Sequence, residues 1–276
     1  MRLLASALTI LGLTGCFQVN SVINLASDGS GTYETTVIMA ASGKKVIEGL
    51  SGSAPNEAAK PKLAVDKEKL EARAKQMGEG VTLKSYEAID EKDGSTGYKA
   101  VYAFKNINKL TITGREGFDD ASKNAASATT KKGKTRELIK FDFTPGNPAK
   151  LVVHNPNGKK AKDGDKTGSG KEGKKPAAAD PKQNAMAAMM MSQMFKGMKI
   201  HIEMDIGGEI KKTNATYAEG NKIIFADVNM DEAMEDPKFA EIMQGAKDNG
   251  AAGLESLKGL KGVKVETQPL VEVQFK

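Results

Sequence analysis

The chain holds one cysteine, Cys16, no tryptophan, and two histidines, His154 and His201, in 276 residues. A lone cysteine excludes intrachain disulfides and thiolate metal clusters, and leaves no thiol nucleophile elsewhere. Acid–base or nucleophilic catalysis needs a positioned base beside its nucleophile. Neither histidine has a serine–histidine–carboxylate neighbourhood that the sequence reveals, so no enzymatic site and no cofactor is expected. Aromatic residues are 5% of the chain. None interleaves with the lysine-rich stretches, so stacking on nucleobases has no platform and no nucleic-acid partner is expected. The leading apolar run, residues 3–13, falls short of the roughly 17 to 25 residues of a membrane-spanning helix.

That run follows Met1-Arg2 and leads into Thr14-Gly15-Cys16. One positive charge, a short apolar core and small residues before a cut site are the parts of a secretory signal, so residues 1–15 read as a signal peptide to be removed. Leu13-Thr14-Gly15-Cys16 resembles the bacterial lipobox. The resemblance implies cleavage before Cys16, which becomes a diacylglyceryl-cysteine at the mature N-terminus and bears further palmitate-type acylation. Each buried methylene contributes ~0.8 kcal/mol, so two or more chains hold a protein at a membrane where one does not. Phe17 stands where inner-membrane retention signals carry Asp, which favours the outer membrane, facing the periplasm, in a Gram-negative cell. The plainer alternative is an exported protein with a chance cysteine.

A sequence pI near 9.1 would invite a nucleic-acid reading, but the charge is unevenly spread. Residues 157–184 hold eight lysines against Asp163, Asp165, Glu172 and Asp180, and residues 115–136 hold six basic against three acidic residues. The remainder is close to neutral. The basic stretches read as solvated spacers, with attraction to anionic lipid headgroups as the functional alternative.

Phe17, Val19, Ile23 and Leu25 alternate with Gln18, Asn20 and Asn24, and Tyr33, Val37 and Met39 resume the alternation beyond Asp28-Gly29-Ser30-Gly31. This predicts a hairpin over 17–40. Residues 42–61, rich in small side chains, are expected to cover the sheet as a short helix and loop. Asp66 is placed to cap a helix whose Leu70, Ala74 and Met77 share a face and which Gly78 ends. A second hairpin is expected from 81–89 and 98–106 about Asp93-Gly94-Ser95, a mobile loop over 115–134, and a strand pair from Ile139, Phe141 and Phe143 with 151–154. Gly158 to Gln183 contains no aliphatic residue larger than alanine and cannot offset the entropy of ordering, so disorder is expected. Beyond a helix at 185–197, Ile200, Ile202, Met204 and Ile206 mark a strand. A hairpin over 209–218 and 222–228, a helix starting at Asp236-Pro237, and closing strands at 263–265 and 271–275 complete the pattern.

The predicted fold class is α+β: an antiparallel sheet built from hairpins, helices covering one face, and a disordered Lys/Gly-rich insertion. The organisation read from the chain is a signal peptide at 1–15, a hairpin-rich unit at 16–156, a linker or insertion at 157–184, and a second portion at 185–276 that can complete the same domain.

Asp28-Gly29-Ser30-Gly31 resembles the centre of a calcium loop, but the twelfth position would be Thr35 where a bidentate Glu belongs, so a turn is the better reading. The Asp93 turn fails likewise, with Ala100 at its twelfth position. His201, Glu203 and Asp205 alternate on one strand face, a pattern open to a metal but explained by a water-facing strand; no metal site is assigned. Met186, Met189, Met190, Met191, Met194 and Met198 form the most unusual cluster. Thioethers suit Cu(I), yet Met186, Met190, Met194 and Met198 also form a stripe at helical spacing, adaptable and apolar with Phe195. Met186, Met190, Met194 and Phe195 are therefore candidates for lipid or partner contact.

The anchored cysteine followed by a strand, Asp28-Gly29-Ser30-Gly31 with 33–39, and Tyr102-Ala103-Phe104-Lys105-Asn106 resemble bacterial envelope lipoproteins of the LppM-like type. Gly208-Glu209-Ile210-Lys211-Lys212-Thr213-Asn214-Ala215-Thr216, with Gly220-Asn221 and the strand after it, is similar to their later hairpin. The resemblance covers roughly half the chain and transfers no catalytic residue. It implies an α+β sheet domain outside the membrane, with lipid contact suspected in some members; the lysine-rich stretch and the methionine cluster depart from it. The expected function is that of a membrane-anchored envelope lipoprotein serving as a non-enzymatic binding or structural module, with a lipid or envelope protein as partner. A hydrolase with an unrecognised site and a Cu(I)-handling protein are the alternatives.

Overall fold

The computed structural model describes residues 17–44, 65–113, 138–156, 158, 195–242 and 254–276. The expectations for the leader, the 115–134 loop, the lysine-rich stretch and most of the methionine cluster lie outside these residues. Strands β1 (Phe17–Leu25) and β2 (Gly31–Met39) form the first hairpin, paired from Phe17 opposite Met39 to Leu25 opposite Gly31. At its turn, Ser30 donates from both its hydroxyl and its backbone N–H to Asp28. Those bonds hold the Asp28 carboxyl below its ordinary range. β3 (Thr82–Asp90) and β4 (Thr96–Phe104) form the second hairpin, where Asp93 plays the same part toward the Ser95 N–H. Between the hairpins runs α1 (Lys67–Met77), with Leu70, Ala74 and Met77 buried as their spacing predicts and Gly78 at its C-cap. Asp66 occupies the N-cap without a side-chain capping bond; its carboxylate pairs with Lys69 at 3.1 Å instead.

The later strands are β5 (Thr111–Ile112), β6 (Ile139–Thr144), β7 (Ala149–His154), β8 (Lys199–Ile206), β9 (Ile210–Thr213), β10 (Ala218–Glu219), β11 (Lys222–Asn229), β12 (Val263–Val265) and β13 (Leu270–Phe275). They divide between two sheets. The larger, sheet A, runs β10-β11-β8-β1-β2-β4-β3, with β12 also on β11; the smaller, sheet B, runs β5-β6-β7-β13-β9. A short helix, α2 (Met230–Met234), follows β11. Residues 237–242 are helical after Asp236, whose carboxylate accepts from the Lys238 N–H at 2.9 Å, so the Asp-Pro start is where the sequence puts it.

Three expectations are corrected. The α+β class with helices over one sheet face does not hold: the described molecule is mainly strand, and its helices are too short and few to cover a sheet face. The role given to helices falls to a second sheet. Phe141, Phe143, Leu151, Val153, Val271, Val273 and Phe275 of sheet B belong to one continuous apolar cluster with Val19, Ile23, Tyr33, Val37, Tyr98, Tyr102, Ile200 and Met204 of sheet A. Nor is sheet A wholly antiparallel, because β1 and β8 pair in parallel from Gln18 opposite Lys199 to Leu25 opposite Ile206. Finally, 209–218 does not form one hairpin arm. After Gly207-Gly208 the chain leaves sheet A, and β9 pairs with β13 in sheet B; only Ala218 and Glu219 return to β11.

The sheets are joined at specific points. Gly29, at φ +86°, lies so close to Phe143 that an added Cβ would stand 2.7 Å from its ring. Its carbonyl accepts from the Ile107 N–H at 2.9 Å, and Asn108 makes paired side-chain bonds to the Phe143 backbone. Within sheet B, Phe143 and Phe275 pack at 6.2 Å between ring centroids.

Candidate functional site

Cys16 and the rest of the 13–16 motif lie outside the described residues, as do Met186, Met190 and Met194. What is described is the point at which each segment joins the sheet. β1 begins at Phe17, the residue bonded to Cys16, and Phe17 is buried. Phe195 is half-buried and packs on the core; its carbonyl accepts from the Met198 N–H at 3.0 Å, and Met198 itself is buried. Because β1 and β8 are parallel in register, the start of β8 stands beside the start of β1. The two segments singled out in the sequence, separated by some 170 residues, thus meet the sheet at the same end.

Along β8, His201, Glu203 and Asp205 share the face opposite the apolar stripe, as the alternation predicts, but Glu203 is not water-facing. It is buried, with 11% of its side chain exposed, and Lys222 of β11 donates to its carboxylate at 2.8 Å. His201 Nε2 lies 3.2 Å from Glu203, and His201 Nδ1 lies 3.6 Å from Asp227 on β11. The result is a line of polar side chains, Asp227, His201, Glu203 and Lys222, stitching β8 to β11. Burial raises the Glu203 carboxyl, but the bonds from Lys222 and His201 outweigh it and hold it below the usual glutamate range. The same bond raises the Lys222 ammonium. Asp205 is drawn instead to Asn221 at 2.6 Å. Among the described residues no group of three or more His, Cys, Asp or Glu is placed to hold a metal.

His154 and Asp142 pair at 2.6 Å on the exposed face of sheet B, with no nucleophile bonded to either among the described residues. Sequence reasoning gave no weight to Glu266, which is 1% exposed. Its carboxylate accepts from the Thr216 N–H, the Thr216 hydroxyl at 2.9 Å and the Gln268 N–H at 2.8 Å. Its backbone N–H donates to Phe225 of β11, and its carbonyl accepts from Asn155 at 3.0 Å. Glu266 therefore fastens the crossing from β12 to β13 to both sheets, a structural role that accounts for every bond it makes. The motif that surrounds it has no periodic signal. A depression of about 400 Å³ lined by Ser27, Gly146, Asn147, Ala149, Phe275 and Lys276 is open and brings together no acid–base pair. No described helix is long and apolar enough to cross a membrane.

The sequence matches no family model, and no curated protein matches it. Among solved structures the fold is distantly similar to the NMR structure of the folded domain of LppM from Mycobacterium tuberculosis, at 10% identity over 97% of this chain and 95% of that one, with a TM-score of 0.33.

Proposed function

We propose that the chain is a cell-envelope lipoprotein, held to a membrane by acyl chains on Cys16 and serving as a non-enzymatic binding or structural module. The observation that carries the reading is the meeting of the Leu13-Thr14-Gly15-Cys16 motif with a sheet whose first buried residue is Phe17. A lipid tether on Cys16 joins a folded body without a spacer. In a Gram-negative cell the outer membrane, facing the periplasm, is the proposed place. Met186, Met190, Met194 and Phe195 supply the proposed lipid or envelope-partner contact: the methionines repeat at helical spacing, and Phe195 joins the sheet beside the tether. Residues 157–184 are proposed as an insertion within one unit, a reading supported by β1–β8 and β7–β13 pairings that bridge them.

Cell fractionation of the full chain tests this. The native protein is expected in the membrane fraction, and Cys16→Ala is expected to leave it for the soluble fraction while retaining its fold. Equal membrane retention by both proteins contradicts the tether.

A further inference from the structure

From the strand register we infer that one end of sheet A, formed by the 91–95 turn, residues 40–44 and Phe195–Lys199, lies against the headgroup layer of the membrane that holds Cys16. The inference rests on the proposed acylation and adds an orientation to it. Register fixes which residues share that end: Asp90 faces Thr96, Thr96 faces Met39, Met39 faces Phe17, and Gln18 faces Lys199, which in turn faces Asn229. Phe17 is 8% exposed and hydrogen-bonded into the hairpin, so it cannot swing away from the sheet. Consecutive Cα atoms are about 3.8 Å apart. The tethered cysteine therefore begins one residue from a rigid strand end.

The opposite end carries Leu25, Gly31, Phe104 and Ile206, eight strand steps from Phe17 along β1. At about 3.3 Å per residue that is roughly 26 Å farther from the tether. The near end also has side chains suited to a headgroup layer. Lys92, Lys196 and Lys199 are exposed at this end, Lys92 between the exposed Glu91 and Asp93, and half-buried Phe195 lies beside Lys196 with Met198 buried behind it. Long lysine side chains can lie over apolar surface with their charge among phosphates. Lys44 is part of this end too, donating to the Gly94 carbonyl at 2.5 Å and fixing the 91–95 turn against residues 40–44.

Because the chain has no tryptophan, a single introduced indole reports its own position. Full-length acylated Lys196→Trp, Lys92→Trp and Lys105→Trp would each be reconstituted in phosphatidylethanolamine–phosphatidylglycerol vesicles whose lipids carry bromine near the headgroup. Lys196 and Lys92 lie at the near end, and Lys105 lies one residue past the far end of β4. The expected result is co-sedimentation of all three, with loss of fluorescence for Trp at 196 and 92 and unchanged intensity at 105. Co-sedimentation with quenching at 105 equal to or above that at 196 and 92 overturns the orientation and leaves the tether standing. Failure to co-sediment overturns the tether, and the orientation with it.

Discussion

At the scale of single residues, the two buried carboxylates of the described molecule are held in different ways. Glu266 accepts from three donors, and no cation among the described residues pairs with it. Replacing it with Gln keeps the shape but offers one acceptor oxygen and turns an N–H₂ toward groups that themselves donate. The donors sit on Thr216 and Gln268, which are themselves exposed, so water takes up part of what is lost and the cost falls at the low end of about 1–3 kcal/mol. Glu266→Gln is thus expected to lower unfolding free energy by about 1 kcal/mol in urea titration, and Thr216→Ala by no more than about 1 kcal/mol. A neutral Glu266→Gln would mean that this crossing is not fastened as described. Glu203, by contrast, has Lys222 and His201. Its carboxyl is lowered in the folded chain, so its contribution is present above the usual glutamate range and is lost as pH falls through the lowered value. Lys222 is raised, so its contribution persists below the usual lysine range and is lost as pH rises through the raised value. In denaturation midpoints across pH, the native chain is expected to lose more stability on acidification than Glu203→Gln. Parallel curves would count against the pairing.

At the scale of elements, the two early hairpins were legible because both signals needed for them are local. Alternating side chains set the faces, and Asp-Gly-Ser turns set the reversal. α1 was legible for the same reason, through Leu70, Ala74, Met77 and Gly78. The choice of distant partners was not legible. Nothing in the alternation of β1 says that its second neighbour is β8, because many apolar strands offer an equivalent face and register is settled by packing. The path of 209–218 departs from its local pattern because Gly220-Asn221 gives a strong turn signal, whereas the departure at Gly207-Gly208 serves a long-range pairing with β13. The burial of Glu203 was hidden likewise, since its cover comes from Lys222 on another strand. The joint at Gly29 can be tested at this scale. Gly29→Ala places a side chain at positive φ and against Phe143. The left-handed backbone alone costs about 1–2 kcal/mol, and the ring must also shift, so a loss of at least about 2 kcal/mol is expected in thermal or chemical unfolding. A loss no greater than a surface Gly→Ala change would show that the turn does not abut sheet B.

At the scale of the whole molecule, the described strands before and after residues 157–184 are interleaved. Sheet A takes β1 to β4 from one side and β8, β10, β11 and β12 from the other, and sheet B is likewise mixed. A chain built this way is expected to survive being cut between its halves. With an engineered protease site within 159–184, the two fragments should co-elute after cleavage under native conditions and unfold in a single transition. Separate elution, or two transitions, would assign the halves to independent domains. A binding surface needs no motif and leaves no local signal, whereas the proposed tether at Cys16 rests on four consecutive residues, Leu13-Thr14-Gly15-Cys16.

The tether is also the claim on which compartment, orientation and role depend, and intact mass spectrometry of the protein extracted from its native membrane addresses it directly. The expected species begins at Cys16 and carries a diacylglyceryl thioether with any further acyl chain. A chain that still holds residues 1–15, or one that begins at Cys16 with a free thiol, would contradict it.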